Sequence, residues 1–425
     1  MHSSPAFTFL SIHPEKTAIS REGCELDVVL QLNPAPLAPA SIQRQPVAIA
    51  VVIDRSGSMA GQKLQAACKA AQQLANQLTA DDLLTVISFD HQVQMVVPLG
   101  APSELTSSSI SQIRAGGQTA LFDGWSLGMQ TLLQAKEING YQKRILLLTD
   151  GQANVGLRRC SEIAPLVGQA AENGISTSCI GLGDDYEERL LTAMAEAGSG
   201  NLVHLTSPQQ LEAIFRAELE GLNLTIGRNL QMRVQLAQGV KLKQIYNLIE
   251  PSINGWIPLG SIQLGLTPSL AIKLAIEPTM QTEQDLYDLL TVEAKWINME
   301  NNEENMRAVL RLPVIENQWW DHQPRDPDVN REVLLQKAAQ QRRQAMEGID
   351  QGDILSSSNS IKTALYSLAK EQNTPEIERE RQLLDELLEL ISTDKHSLAR
   401  KVMGTQLFMR ARGKKLRNQD GSDDN

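Results

Sequence analysis

Val47-Ala48-Ile49-Ala50-Val51-Val52-Ile53-Asp54-Arg55-Ser56-Gly57-Ser58-Met59 is the stretch that decides the fold of this chain. Seven consecutive aliphatic residues suit a strand buried on both faces, and such strands belong to parallel sheets covered by helices on either side. The run stops at a carboxylate and is followed by small polar residues. Over residues 61–79 the apolar positions are Leu64, Ala67, Cys68, Ala71, Leu74, Ala75 and Leu78, which form a helical stripe. A buried strand, a polar turn and a helix in that order put Asp54, Ser56 and Ser58 at the carboxyl end of the strand, where open parallel sheets place their ligands.

The pattern continues outward. Residues 83–89 and 93–97 read as short strands about a turn, a hairpin at a sheet edge. Helical stretches at 107–115 and 121–135 come next, and then Ile145-Leu146-Leu147-Leu148-Thr149 runs as a second buried strand into Asp150-Gly151. A helix within 161–173, a strand at 176–180, a helix at 186–197, a strand at 202–205 and a helix at 208–221 complete the alternation. Strands alternating with helices of this length predict an α/β domain over residues 45–222, a doubly wound, Rossmann-like and mostly parallel sheet.

The flanks have other periods. Residues 1–44 are strand-like up to Leu32 and end in a Pro/Ala linker over 33–40. Residues 223–324 carry six strand-like runs punctuated by Gly239, Pro251, Gly255, Pro268 and Pro278, which predicts an accessory antiparallel β-sandwich that the N-terminal strands join. Residues 325–412 read as a C-terminal helical region with helices at 329–349, 358–372, 375–391 and 395–410. The third has Thr374 as N-cap and Pro375 at its first position. Residues 413–425 are polar and predicted to be disordered.

Composition narrows the function. The chain has 425 residues, 42% hydrophobic, 21% charged and only 4% aromatic. Few aromatics argue against stacking platforms for single-stranded nucleic acid. A net charge of −11 argues against a general phosphate-binding surface. Residues 45–222 hold eleven Lys and Arg against eighteen Asp and Glu, so −7 of that charge lies in the α/β segment. The basic positions Arg410, Arg412, Lys414, Lys415 and Arg417 run directly into Asp420, Asp423 and Asp424 and read as a solvated tail. Cys24, Cys68, Cys160 and Cys179 form no C-x-x-C pair, which suits reduced thiols in a cytoplasmic protein. Neither a signal peptide nor an apolar run near the ~20 residues of a membrane span is visible.

Chemistry gathers at three loops. Asp54-x-Ser56-x-Ser58 follows one strand, Asp150 follows another, and Gly116-Gly117-Gln118-Thr119 lies between them in sequence. Asp54 or Ser56 alone reads as a helix cap. Together, two carboxylates and three hydroxyls ask for a cation, since two carboxylates ~5 Å apart repel by about 3 kcal/mol at an effective dielectric of 20. Oxygen donors of this kind suit Mg2+ first, and Mn2+ or Ca2+ as alternatives, rather than Zn2+.

In these residues the chain resembles the von Willebrand factor type A family and its metal-ion-dependent adhesion site. Asp54, Ser56 and Ser58 match the Asp-x-Ser-x-Ser element, Thr119 the threonine and Asp150 the final aspartate. The resemblance implies a non-enzymatic interaction module. The three hydroxyls would touch the ion, and both aspartates would bind it directly or through water. An open coordination position would take an Asp or Glu carboxylate of a protein partner. The resemblance also implies that the last helix of the domain, 208–221 here, can shift as ligand enters.

Three other readings remain. Gly124-Trp125-Ser126-Leu127-Gly128 fits the G-x-S-x-G of hydrolases, with Asp184 and His204 later in the chain, but a nucleophile elbow needs a strand directly before the serine. The alternative for this segment is a helix with Trp125, Met129 and Leu132 inward. Phosphotransfer through Asp54 would be better served by an acid at position 56. A scaffold that works without metal is the third. The oligomeric state is not legible.

Overall fold

The computed structural model describes residues 9–34, 45–134, 140–183, 185–279, 286–300 and 302–411. The linker positions 35–40, Asp184 and the polar tail 413–425 lie outside the described residues. The chain divides into two compact units. Among the described residues, one comprises those of 45–225 with 299–300, and the other those of 9–34, 226–298 and 302–411.

The chain starts with β1 (Phe9–Pro14), β2 (Ile19–Ser20) and β3 (Cys24–Asn33), which belong to the second of these units. The first unit opens on β4 (Val47–Asp54), all of whose residues are buried. It continues through α1 (Gln62–Gln77), β5 (Leu83–Phe89), β6 (Val93–Gly100), α2 (Glu104–Ile110) and α3 (Leu121–Gln134). Next come β7 (Gln142–Thr149), α4 (Cys160–Glu172), β8 (Ile175–Leu182), α5 (Glu188–Ala197), β9 (Ser199–Leu205) and α6 (Leu211–Asn223). The six strands form one sheet in the order β6-β5-β4-β7-β8-β9. Neighbours are parallel except for the antiparallel β5–β6 pair at the edge. The chain builds outward from β4 to β6, then crosses to β7 and builds the other way. Strand order therefore reverses between β4 and β7, and a crevice opens beyond their carboxyl ends.

β4 alternates as a doubly covered strand must. Val47, Ile49, Val51 and Ile53 share a core with Leu64, Ala67 and Leu74 of α1 and with Ile214, Phe215 and Leu219 of α6. The opposite face meets α3, where a Cβ on Gly128 would lie 3.1 Å from Val52 and 3.5 Å from Ala50. One turn earlier, a Cβ on Gly124 would lie 2.7 Å from the Phe89 ring. The two glycines of the G-x-S-x-G motif therefore let α3 lie close on the sheet. Ser126 sits inside that helix with no strand directly before it, so no nucleophile elbow forms. Trp125 and Leu132 point inward as expected, but Met129 is only half-buried and Gly128 takes the inward place. The helix expected at 107–115 lies at Glu104–Ile110, because Ser103 and Thr106 form a capping box that starts it earlier.

The second unit adds β10 (Thr225–Leu236), β11 (Val240–Ile245), β12 (Ile257–Gln263), β13 (Ser269–Ile276), β14 (Leu286–Asn298) and β15 (Glu303–Ile315). They form a four-stranded sheet β1-β3-β13-β11 and a five-stranded sheet β12-β10-β14-β15-β2. One apolar cluster draws on both sheets, with Val28 and Leu30 of β3, Ile272 of β13 and Val292 of β14 among its members. A short α7 (Asn317–Asp321) precedes α8 (Pro327–Gln351), α9 (Ile354–Ala369), α10 (Pro375–Ser392) and α11 (His396–Ala411). Val329 and Val333 of α8 pack on Val29, Ala271 and Tyr246, which seats the helical region on the four-stranded sheet. Thr374 caps α10 by accepting from the Ile377 amide. The helix expected at 358–372 starts at Ile354, since Asp353 caps it through the Ser356 amide. Among the described residues no helix is long and apolar enough to cross a membrane.

Candidate metal centre

The reversal of strand order brings the three sequence loops to one place. β4 delivers Asp54 as its last residue, and β7 delivers Asp150 one residue after its end. The third loop is tied to the first by backbone hydrogen bonds. The Gly57 amide donates to the Gly117 carbonyl (3.2 Å), and the Gly116 amide to the Arg55 carbonyl (2.8 Å).

Asp54 is fully buried and accepts on both oxygens. Oδ1 takes the Ser56 amide at 2.7 Å, and Oδ2 takes the Thr149 hydroxyl at 2.5 Å. Burial pushes its carboxyl above the ordinary range, against the pull of these hydrogen bonds, and the charge of Asp150 pushes the same way. Asp150 is equally buried. Its Oδ1 accepts from Ser58 Oγ at 2.6 Å, and Ser58 Oγ lies 3.2 Å from Ser56 Oγ. Its Oδ2 accepts from Lys63 Nζ at 2.5 Å, on the first turn of α1.

Thr119 is held by its backbone, the amide donating to Asn154 Oδ1 (2.7 Å) and the carbonyl accepting from the Asn154 amide (3.1 Å). Its hydroxyl faces the same space as Ser58. A Cβ added to Gly151 would lie 3.4 Å from Ser58 Oγ and 3.9 Å from Thr119 Oγ1. Glycine at 151 thus leaves a small hollow onto which hydroxyls from two loops open, beside the Asp150 carboxylate. All five residues singled out in the sequence come together here. Among the described residues no three His, Cys, Asp or Glu side chains cluster as a metal site, so a cation here would depend on hydroxyls as well as the two acids. The donors are all hard oxygens, and a lysine ammonium already rests on one of them, so the residues fit a hard cation.

Sequence reading missed four residues that build the site. Thr149 and Asn154 orient Asp54 and Thr119. Asp90 is buried, pairs with Arg55 (Nη2–Oδ2 3.3 Å), and its carbonyl accepts the Ala120 amide at 2.7 Å, which fixes the start of α3 behind Thr119. Lys63 carried a readable signal, because a cation on the first turn of a helix opposes the macrodipole.

Gly117 has φ +74°, and a Cβ there would lie 2.2 Å from His91 Nδ1 and 2.9 Å from Asp90 Oδ2. The left-handed backbone alone costs a non-glycine residue about 1–2 kcal/mol. Gly117→Ala is therefore expected to lower unfolding stability by at least about 2 kcal/mol. Gly116→Ala, with nothing within 4 Å, should stay within about 0.5 kcal/mol of wild type. Urea unfolding of the two variants checks the contrast.

The hydrolase alternative fares poorly here. Ser126 Oγ accepts from the Gln130 side chain inside α3, and His204 Nδ1 lies 3.1 Å from the Tyr186 hydroxyl. Asp184 lies outside the described residues.

Comparison with known proteins gives the same domain. The family model of the von Willebrand factor type A domain matches residues 48–217. An uncharacterized protein of Synechocystis sp. is 30% identical over 198 residues, 46% of this chain and 46% of that one. Inter-alpha-trypsin inhibitor heavy chain H3 of Mesocricetus auratus is 31% identical over 172 residues, 38% of this chain and 19% of that one. The chain thus spans less than half the length of either relative. A solved von Willebrand factor type A structure from Catenulispora acidiphila superposes with a TM-score of 0.68 at 15% identity, covering 92% of this chain and 91% of that one. At that identity the likeness is one of fold.

Proposed function

Because residues 48–217 are a von Willebrand factor type A domain, we propose that the protein is a non-enzymatic, cation-dependent protein-interaction module. Asp54, Ser56, Ser58, Thr119 and Asp150 are its metal-ion-dependent adhesion site. The observation that carries this reading is the hollow at Gly151, where the Ser58 and Thr119 hydroxyls open beside the Asp150 carboxylate.

In this reading Ser56, Ser58 and Thr119 hold the cation through their hydroxyls, and Asp54 and Asp150 hold it directly or through water. Asp54 is fixed by the Ser56 amide and the Thr149 hydroxyl, so its carboxylate is pre-oriented. A bound Mg2+, with Mn2+ or Ca2+ as alternatives, supplies a Lewis-acidic coordination position for a carboxylate. Hydroxyl ligands carry no charge, so two acids and three hydroxyls leave the centre attractive to a third acid. The partner is then a protein that presents an Asp or Glu side chain. The surrounding segment carries −7, which disfavours diffuse polyanions such as nucleic acid and selects a single placed carboxylate. We place the protein in the cytoplasm, where its four cysteines, free in the structure, stay reduced.

The test is a titration with MnCl2 followed by electron paramagnetic resonance, then capture of partners from native lysate with and without EDTA. One saturable Mn2+ site and partners released by EDTA are expected. No saturable site at millimolar Mn2+, or partner capture indifferent to EDTA, overturns the reading.

A further inference from the structure

The proposed cation site already contains a positive charge belonging to the chain. Lys63 Nζ lies 2.5 Å from Asp150 Oδ2. The Asp150 side chain is 0% exposed and that of Lys63 33%, so the lysine approaches the buried acid from the solvent side. Its ammonium also reaches the end of the neighbouring strand β8, lying 3.8 Å from where a Cβ on Gly183 would stand. Gly183 has φ +78° and leaves that space open.

Two physical facts make this placement informative. Lys63 sits on the first turn of α1, where the helix dipole disfavours a cation. The other Asp150 oxygen is taken by the Ser58 hydroxyl at 2.6 Å. A divalent ion coordinated by Asp150 and Ser58 would bring two positive charges up to the ammonium on the same carboxylate. At such separations like charges repel strongly, so the ammonium and a divalent ion compete for the same buried carboxylate.

We propose that Lys63 is a tethered competitor for the cation site. Its ammonium neutralises Asp150 when no divalent ion is coordinated, and it swings into solvent when one enters. This rests on the cation reading above and adds its regulation. Because the lysine is attached to the chain, its local concentration at Asp150 is high and constant, so it sets the divalent-ion concentration at which the site fills. The exchange is one of ions only, with no bond made or broken. It also links site filling to the start of α1, since the side chain that leaves Asp150 belongs to that helix.

Lys63→Met in the full chain keeps the aliphatic stem and removes the charge. Its Mn2+ dissociation constant, measured by electron paramagnetic resonance, is expected to be at least tenfold lower than that of wild type. Its melting temperature should rise more on Mn2+ addition than that of wild type, and Lys63→Arg should bind Mn2+ no tighter than wild type. Damage to the fold would weaken binding, so tighter binding is the opposite of a structural artefact. If Lys63→Met does not fold by circular dichroism, Lys63→Gln is measured with the same expectation. If wild type binds and the neutral variant binds no tighter, the competitor role is overturned while the cation site stands. If neither binds Mn2+, the cation site is wrong and the competitor role falls with it.

Discussion

Asp54→Ala and Asp150→Ala are each expected to abolish Mn2+ binding, with a loss of affinity of more than 100-fold in a calorimetric titration of protein that remains folded. The two acids are the only formal negative charges among the five proposed ligands, and both side chains are fully buried. Removing either one leaves a single carboxylate and three neutral hydroxyls to offset a divalent charge, too little for a hard cation that must shed water to bind. Asp54→Ala also strips the Ser56 amide and the Thr149 hydroxyl of their acceptor, and each unmet buried donor costs about 1–3 kcal/mol. Asp54→Asn separates the two effects. It keeps the volume and an acceptor oxygen, so a folded Asp54→Asn protein that binds no Mn2+ attributes the loss to charge. Unchanged affinity in both alanine variants would sink the assignment of the site.

Why these positions were legible in the sequence while the partners of Lys63 and Glu218 were not is a matter of range. β4 reads directly from Val47 to Ile53, because a strand buried on both faces has no polar position to interrupt it. The alternation of strands with helices fixes the α/β class and puts Asp54 and Asp150 at strand ends. Thr374 and Pro375 announce α10 by local capping chemistry. Errors of local reading have local causes, such as the overlooked Ser103–Thr106 box and the packing glycines that mimic a hydrolase motif. Neither β2 (two residues) nor α7 (five) is long enough to establish a period. The remaining misses are pairings across the fold: Lys63 meets Asp150 from 87 positions away, and Arg144 meets Glu218 from 74. Nothing in a periodicity reports such a contact; only strand order does.

The Arg144–Glu218 pairing carries the largest stability effect expected in the α/β unit. Arg144 Nη1 lies 2.9 Å from Glu218 Oε2, with side chains 4% and 2% exposed. Ser178 Oγ donates to the same carboxylate oxygen at 2.7 Å, and Asn201 Nδ2 donates to the other at 2.6 Å. Arg144 Nε in turn donates to Ser176 Oγ at 2.9 Å. One glutamate on α6 therefore ties that helix to β7, β8 and β9. Glu218→Ala leaves a buried guanidinium without its counter-ion and is expected to cost about 3–5 kcal/mol in urea unfolding. That is a large share of the roughly 5–15 kcal/mol that holds a domain together. Arg144→Met combined with Glu218→Leu removes both charges and fills the volume, so it should recover most of the loss, since a buried pair is costly to break and cheap to replace. Arg144 lies near the amino end of β7, whereas Asp150 follows the carboxyl end. Glu218→Ala, while folded, should therefore keep its Mn2+ affinity within about twofold of wild type, a shift of only about 0.4 kcal/mol. A cost below about 1 kcal/mol would mean that α6 is held by its apolar face, through Leu211, Ile214, Phe215 and Leu219, and that the ion pair adds little.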